Sequence, residues 1–265
     1  MTEEENSTTA PRHFVLIHGA CHGAWCWYKL VSLLESDGHK VTALDLCASG
    51  QNQVPLDKLH TIDDYHQPLY SYLESLPSDE KVILVGHSMD GYAVSSAMER
   101  FPTKIALAVF AAAFMIGPEL SLNQIVQTSI PEADAYGDST FTTGTANDVP
   151  ETILFGPKYM AAKMYQESPH EDYILANLST RFAKFFNDEE SIQQRIVTKE
   201  KYGTVRRAYI VAGEDKGLLT NIQRWMAKNN PPDEVREIEG ADHMLMFSKS
   251  HQLCSNLLQL AKKYC

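Results

Sequence analysis

Ser88 stands in the run Gly86-His87-Ser88-Met89-Asp90-Gly91, directly after the apolar stretch KVILV. A serine hydroxyl attacks a carbonyl only when a base takes its proton, and the base works best when a third group fixes its tautomer. His243, in GADHM after the strand-like VREIE, is the best placed base, and Asp215, closing YIVAGED, is the acid. Glu214 and Asp242 stand as substitutes for the acid. Of the other histidines, His87 is expected to point away along the turn, His251 falls in or beside the last helix, and His18 in the first loop can line a pocket. A tetrahedral intermediate also needs N–H donors for its oxyanion. Met89, just after the nucleophile, offers one, and Ala20 in the loop His18-Gly19-Ala20-Cys21 offers the other.

One position departs from the serine turn G-x-S-x-G, in which the second glycine falls two residues after the nucleophile. Here that residue is Asp90, and glycine comes one place later. A carboxylate at the start of a helix is favourable near the helix dipole if it points outward, which is the expectation. The alternatives are that Asp90 perturbs the neighbouring oxyanion donor or touches substrate.

These residues need a scaffold that ends several strands at one edge. HFVLI, KVTALDL, KVILVGH, IALAVFAAAF, RRAYIVAGED and EVREI read as short strands. Between the first of them lie stretches with helical spacing, such as Trp27, Leu30, Leu33 and Leu34 before the helix stop Gly38. Strand and helix in alternation predict a parallel sheet, and the fully apolar runs predict strands covered on both faces. From about Gly117 to Arg195 the strands disappear and glycine, proline, serine and threonine punctuate the chain. This stretch reads as an insertion, mainly helical, in which Met160, Met164, Tyr165, Phe182, Phe185 and Phe186 make an apolar face able to close over a pocket. A helical pair packed only on itself is the alternative.

Bulk composition narrows the function classes. With 265 residues, 44% hydrophobic and 22% charged, the chain has material for one sizeable core. A formal charge of -11 repels phosphate backbones, and no basic stripe offsets it, so nucleic acid is excluded as a partner. MTEEENSTTAP lacks the basic start and apolar run of a secretory signal, and no apolar segment approaches the roughly 20 residues that cross a bilayer. Five cysteines without a C-x-x-C suit neither a disulfide framework nor a zinc site, so reduced thiols and a cytoplasmic location are expected, with no metal and no organic cofactor.

HFVLIHGACHGAW, the GHSMDG turn, ILFGPKYMAAKMY, AGEDK and GADHM together resemble the plant methylesterase and hydroxynitrile lyase family of α/β-hydrolases, over nearly the whole chain from His13 onward. The resemblance implies an α/β-hydrolase fold. Its parts would be a flexible tail over residues 1–12, a core over 13–116 and 196–265, and a cap over 117–195. It implies a Ser88, Asp215 and His243 triad with an oxyanion hole at Ala20 and Met89. His18, Met115, Met160, Met164 and Met244 are the expected substrate-binding residues. The lyases carry threonine where Ala20 stands and lysine where Met244 stands, which favours the esterase branch. The implied substrates are small apolar methyl esters, of an indole alkaloid with decarboxylation after hydrolysis or of a plant hormone. A slow or non-hydrolytic ligand receptor is the alternative, and a homodimer remains open.

Overall fold

The six apolar runs line up as one parallel sheet. A computed structural model describes residues 10–128, 136–143 and 150–265; of the expected tail, residues 1–9 lie outside the described residues. The strands are β1 (His13–Ile17), β2 (Lys40–Leu44), β3 (Val82–Ser88), β4 (Ile105–Ala113), β5 (Thr140–Thr143), β6 (Pro150–Leu154), β7 (Ala183–Lys184), β8 (Arg207–Ala212) and β9 (Glu234–Ile238). The main sheet has the order β2-β1-β3-β4-β8-β9, and each pairing in it is parallel. The helices are α1 (Tyr28–Ser36), α2 (Ile62–Ser75), α3 (Gly91–Arg100), α4 (Leu122–Thr128), α5 (Pro157–Tyr159), α6 (His170–Ser179), α7 (Glu189–Gln194), α8 (Thr220–Asn229), α9 (Leu245–Ser248) and α10 (Ser250–Tyr264).

Side chains alternate across a strand, so a run apolar at every position must feed two cores. Val15 and Ile17 of β1, Leu84 of β3 and Phe110 of β4 pack with α2, α3 and α8 on one face. Phe14 and Leu16, Val85 and Val109 pack with α1 and α10 on the other. Each such side chain, fully buried, contributes about 1.5–3 kcal/mol of hydrophobic stabilisation. The outer strand β9 shows the contrasting pattern, half-buried and exposed in alternation up to the buried Ile238, because one of its faces meets water. Local signals set the helix limits. Thr61 and Asp64 form a reciprocal capping box at the start of α2, and Gly38 takes φ 82° just past α1.

The stretch 117–195 departs from the sequence reading in one respect. Beside helices and a single π-helical turn at Met160–Met164, it contains strands, with β5, β6 and β7 forming a small antiparallel sheet. All four residues of β5 are exposed. A strand with no buried face lacks the period-two hydrophobic signal that would reveal it. Nor do the helices here pack only on each other: Met160, Met164 and Tyr165 share a core with Phe247 and Leu245, beside the main sheet. Among the described residues no helix is long and apolar enough to cross a membrane.

Candidate active site

The carboxyl ends of β3, β8 and β9 deliver one chemical group each. Ser88 ends β3 with φ 55°, in the left-handed region that non-glycine residues avoid and that costs on the order of 1–3 kcal/mol. Two contacts hold it there. The Phe114 N–H donates to the Ser88 carbonyl at 2.9 Å, and α3 begins at once beyond Asp90. Gly91 permits this closeness, because a β-carbon on it would overlap the Phe114 carbonyl. The glycine that the turn needs is therefore the one at 91.

Ser88 Oγ–H donates to His243 Nε2 at 2.9 Å, and His243 Nδ1–H donates to Asp215 Oδ2 at 2.7 Å. Asp215 is buried and accepts three further bonds: from the Gly217 and Leu218 N–H groups on Oδ1, and from Gln223 Nε2 on Oδ2, each at 2.8 Å. These donors fix the orientation of the carboxyl group. Gln223 is itself locked, since its Oε1 accepts from the Ala212 N–H and its Nε2 also donates to the Leu218 carbonyl.

The substitutes for the acid lie elsewhere. Glu214 is exposed. Asp242 is buried, but its oxygens accept from the Glu167 and Met244 N–H groups and the Ser168 hydroxyl, which pins the turn after the π-helical segment. His251 is exposed on α10. His87 departs from expectation: it turns inward, its ring 4.6 Å from the His243 ring, and its Nε2–H donates to the His243 carbonyl at 2.8 Å. Burial, followed by the charge of His243, pushes its pKa well down, so it is a neutral brace.

Ala20 and Met89 both line a cavity with Ser88 and His243. Among the described residues neither backbone N–H has a protein acceptor. A β-carbon on Gly19 would stand 2.7 Å from Ser88 Cβ, which brings the loop against that serine. His22 anchors that loop, its Nδ1–H donating to the Ala20 carbonyl while the Tyr165 hydroxyl donates to its Nε2. Burial drives the His22 pKa down to about 3, so this link does not titrate near neutrality. The cavity measures about 300 Å³ and its walls are largely aromatic: Tyr92, Phe114, Tyr136, Phe155, Tyr159, Phe186.

Of the five expected substrate-binding residues, Met164 alone lines this cavity. His18 is buried behind the loop, donating through Nδ1 to the Gly19 carbonyl and accepting the Leu46 N–H on Nε2. Met115, Met160 and Met244 face the cores. Sequence reading took Met115, Met160 and Met244 as pocket wall where they are core filler, and it missed Tyr92, Phe114, Tyr136, Phe155, Tyr159 and the buried Arg195 as cavity walls. Phe185 and Phe186 were legible as an apolar pair in FAKFF; nothing in the local pattern singles out Arg195.

Asp90 is also placed against expectation. It is fully buried, because every residue from Gly91 to Met98 of α3 is buried and the helix has no outward face at its start. Tyr65 donates to its Oδ2 at 3.4 Å, and His66 Nε2 lies 3.4 Å from Oδ1 without hydrogen-bond alignment. The tautomer of His66 follows from its other side: Tyr70 donates its hydroxyl proton to Asp63, so His66 Nδ1–H donates to Tyr70 and Nε2 carries a lone pair. An ionised Asp90 would set two lone pairs face to face. Desolvation pushes its pKa well up, only partly opposed by Tyr65 and the charge of Arg195, and the protonated acid has a hydrogen to direct at Nε2.

A family model described as the alpha/beta hydrolase family matches residues 14–255. Methyl jasmonate esterase 1 of Vitis vinifera is 52% identical over 96% of this chain and 98% of its own length. The crystal structure of polyneuridine aldehyde esterase superposes with a TM-score of 0.87 at 43% identity, covering 95% of this chain and 99% of that one. Tomato methylketone synthase I complexed with 2-tridecanone superposes with a TM-score of 0.90 at 42% identity, over 97% and 100%.

Proposed function

The chain belongs to the alpha/beta hydrolase family, among its plant methylesterases, and on that premise we propose that it hydrolyses small, largely apolar methyl esters with Ser88 as nucleophile. The observation that carries the reading is the Ser88 to His243 to Asp215 hydrogen-bond relay opening onto an apolar cavity. The Vitis vinifera methyl jasmonate esterase and the polyneuridine aldehyde esterase structure support the ester class.

His243 takes the Ser88 proton through Nε2 as Oγ attacks the ester carbonyl. The oxyanion moves toward the unengaged N–H groups of Ala20 and Met89, and Asp215 keeps the imidazolium oriented. His243 then protonates methanol as it leaves. Water, activated by the same histidine, attacks the acyl group on Ser88 and releases the acid. If that acid carries a carbonyl beta to its carboxyl group, loss of carbon dioxide follows in a separate step. The five free cysteines fit a reducing cytosol as the working compartment.

Methanol release from a panel of hormone and alkaloid methyl esters, compared between the native protein and Ser88→Ala, tests this. The expected loss on Ser88→Ala is about 10³-fold or more. Tight ester binding without Ser88-dependent methanol would replace the enzyme with a receptor.

A further inference from the structure

Two cationic residues, Lys184 and Arg195, line the cavity, and no carboxylate does among the described residues, in a chain whose net charge is -11. Lys184 is spoken for, its Nζ donating to the Leu59 carbonyl at 2.6 Å. Arg195 is not. It is 7% exposed, and among the described residues it has no acid within salt-bridge distance. Of its five N–H donors, among the described residues only Nη1 meets an acceptor, the Phe186 carbonyl at 2.8 Å, and the buried Nε meets none. The Tyr92 ring beneath it, 5.3 Å from the guanidinium carbon, supplies a cation–π contact. Tyr92 and Phe186 are themselves cavity walls.

A buried guanidinium left short of acceptors is costly, and the cost falls if a bound molecule brings an oxygen to it. Two carboxyl groups act on it, and neither supplies an acceptor: the exposed Asp188 lies beyond salt-bridge distance and caps α7 through the Ser191 N–H, and burial keeps Asp90 toward its protonated form.

We propose that Arg195 determines specificity: the acyl part of the ester carries an oxygen acceptor, a ketone or a carboxylate, that this guanidinium holds, and esters with a cationic nitrogen there are rejected. This rests on the esterase reading, because it describes the substrate of the same cavity. It narrows the ester class away from amines protonated at neutral pH and toward oxo or acidic esters. Arginine suits both acceptors, with a forked geometry for a carboxylate and a single strong donor for a ketone.

The test uses straight-chain methyl esters of matched length that end in a methyl group, a methyl ketone, a carboxylate or a trimethylammonium group. Calorimetry reads their binding to the Ser88→Ala protein, which needs no turnover. We expect a ketone or carboxylate ester to bind about tenfold or more tighter than its hydrocarbon counterpart and the ammonium ester to bind weakest. Which oxygen gives the larger gain distinguishes a neutral from an anionic substrate. Adding Arg195→Met should shrink the advantage to about twofold, and Arg195→Lys should restore part of it. Equal binding of all four esters, or an advantage that survives Arg195→Met, overturns the proposal. The four-ester comparison decides it even if Arg195→Met does not fold. Absence of methanol release by the native protein would sink the esterase reading alone, since the binding preference is measured independently of hydrolysis.

Discussion

Replacing Asp90 by asparagine should stabilise the protein, by an amount that grows as the pH rises. The native carboxyl is fully buried, with one oxygen facing the lone pair of His66 Nε2, and burial raises its pKa well above the usual carboxylate value. In the unfolded chain the same group ionises near pH 4. Below that pH both states hold the proton and the term is flat. Above it the unfolded chain releases a proton that the native state keeps, so stability falls by about 1.4 kcal/mol per pH unit until the native carboxyl also ionises. Between pH 5 and pH 7 that slope sets a ceiling of about 2.7 kcal/mol on the loss. The substituted asparagine has no such term and can give Nε2 a hydrogen from its amide. Urea unfolding of the native and Asp90→Asn proteins at pH 5, 6 and 7 reads the difference directly, and the other titrating groups cancel in the comparison. A constant gap, or one that closes with rising pH, would refute the reasoning: it would mean that Asp90 gives up its proton in the folded chain and that His66 does not take it.

Three further outcomes follow from the geometry. Asp90→Gly should keep ester turnover within about tenfold while costing about 1–3 kcal/mol of stability, because Tyr65 and His66 lose their neighbour but nothing in the relay moves; complete loss of turnover in folded protein would make the carboxyl a participant in catalysis. Gln223→Leu removes a donor to Asp215 and one to the Leu218 carbonyl, and kcat should fall about 10- to 100-fold with KM little changed, read by initial rates; an unchanged kcat would show that the backbone donors suffice. Cys21, buried and with its thiol pushed up to about 12 by desolvation, should resist alkylation at pH 8 in the native protein while the less buried Cys265 reacts first, as peptide mass spectrometry would reveal.

The main sheet was legible because its strands are apolar at consecutive positions, a pattern that only two-sided burial demands. Ser88 and Asp215 were legible because each follows such a strand, and His243 because it follows the alternating strand β9, so strand ends and candidate site residues are read together. Hydropathy carries no such information about direction within a core, which is why Met115, Met160 and Met244 read as pocket wall although they fill the space between sheet and helices. Arg195 lies in the polar run SIQQRIV, where an arginine ordinarily meets water; what buries it is the distant ring of Tyr92 and the carbonyl of Phe186. Asp90 misled for a related reason. Its neighbours in sequence are those of a helix start, but the helix it starts is enclosed, and enclosure depends on α2, some 25 residues earlier in the chain.

His87 sits one residue before the nucleophile and grips the carbonyl of the base. Attacking atom and proton acceptor are thereby gauged from the same strand tip, over a reach of one side chain. An ester that enters the cavity meets its aromatic walls first, while the spacing between Ser88 and His243 is set underneath them. Admission and reaction are thus separable tolerances in this fold: the walls can change while the striking distance of the serine stays as it is.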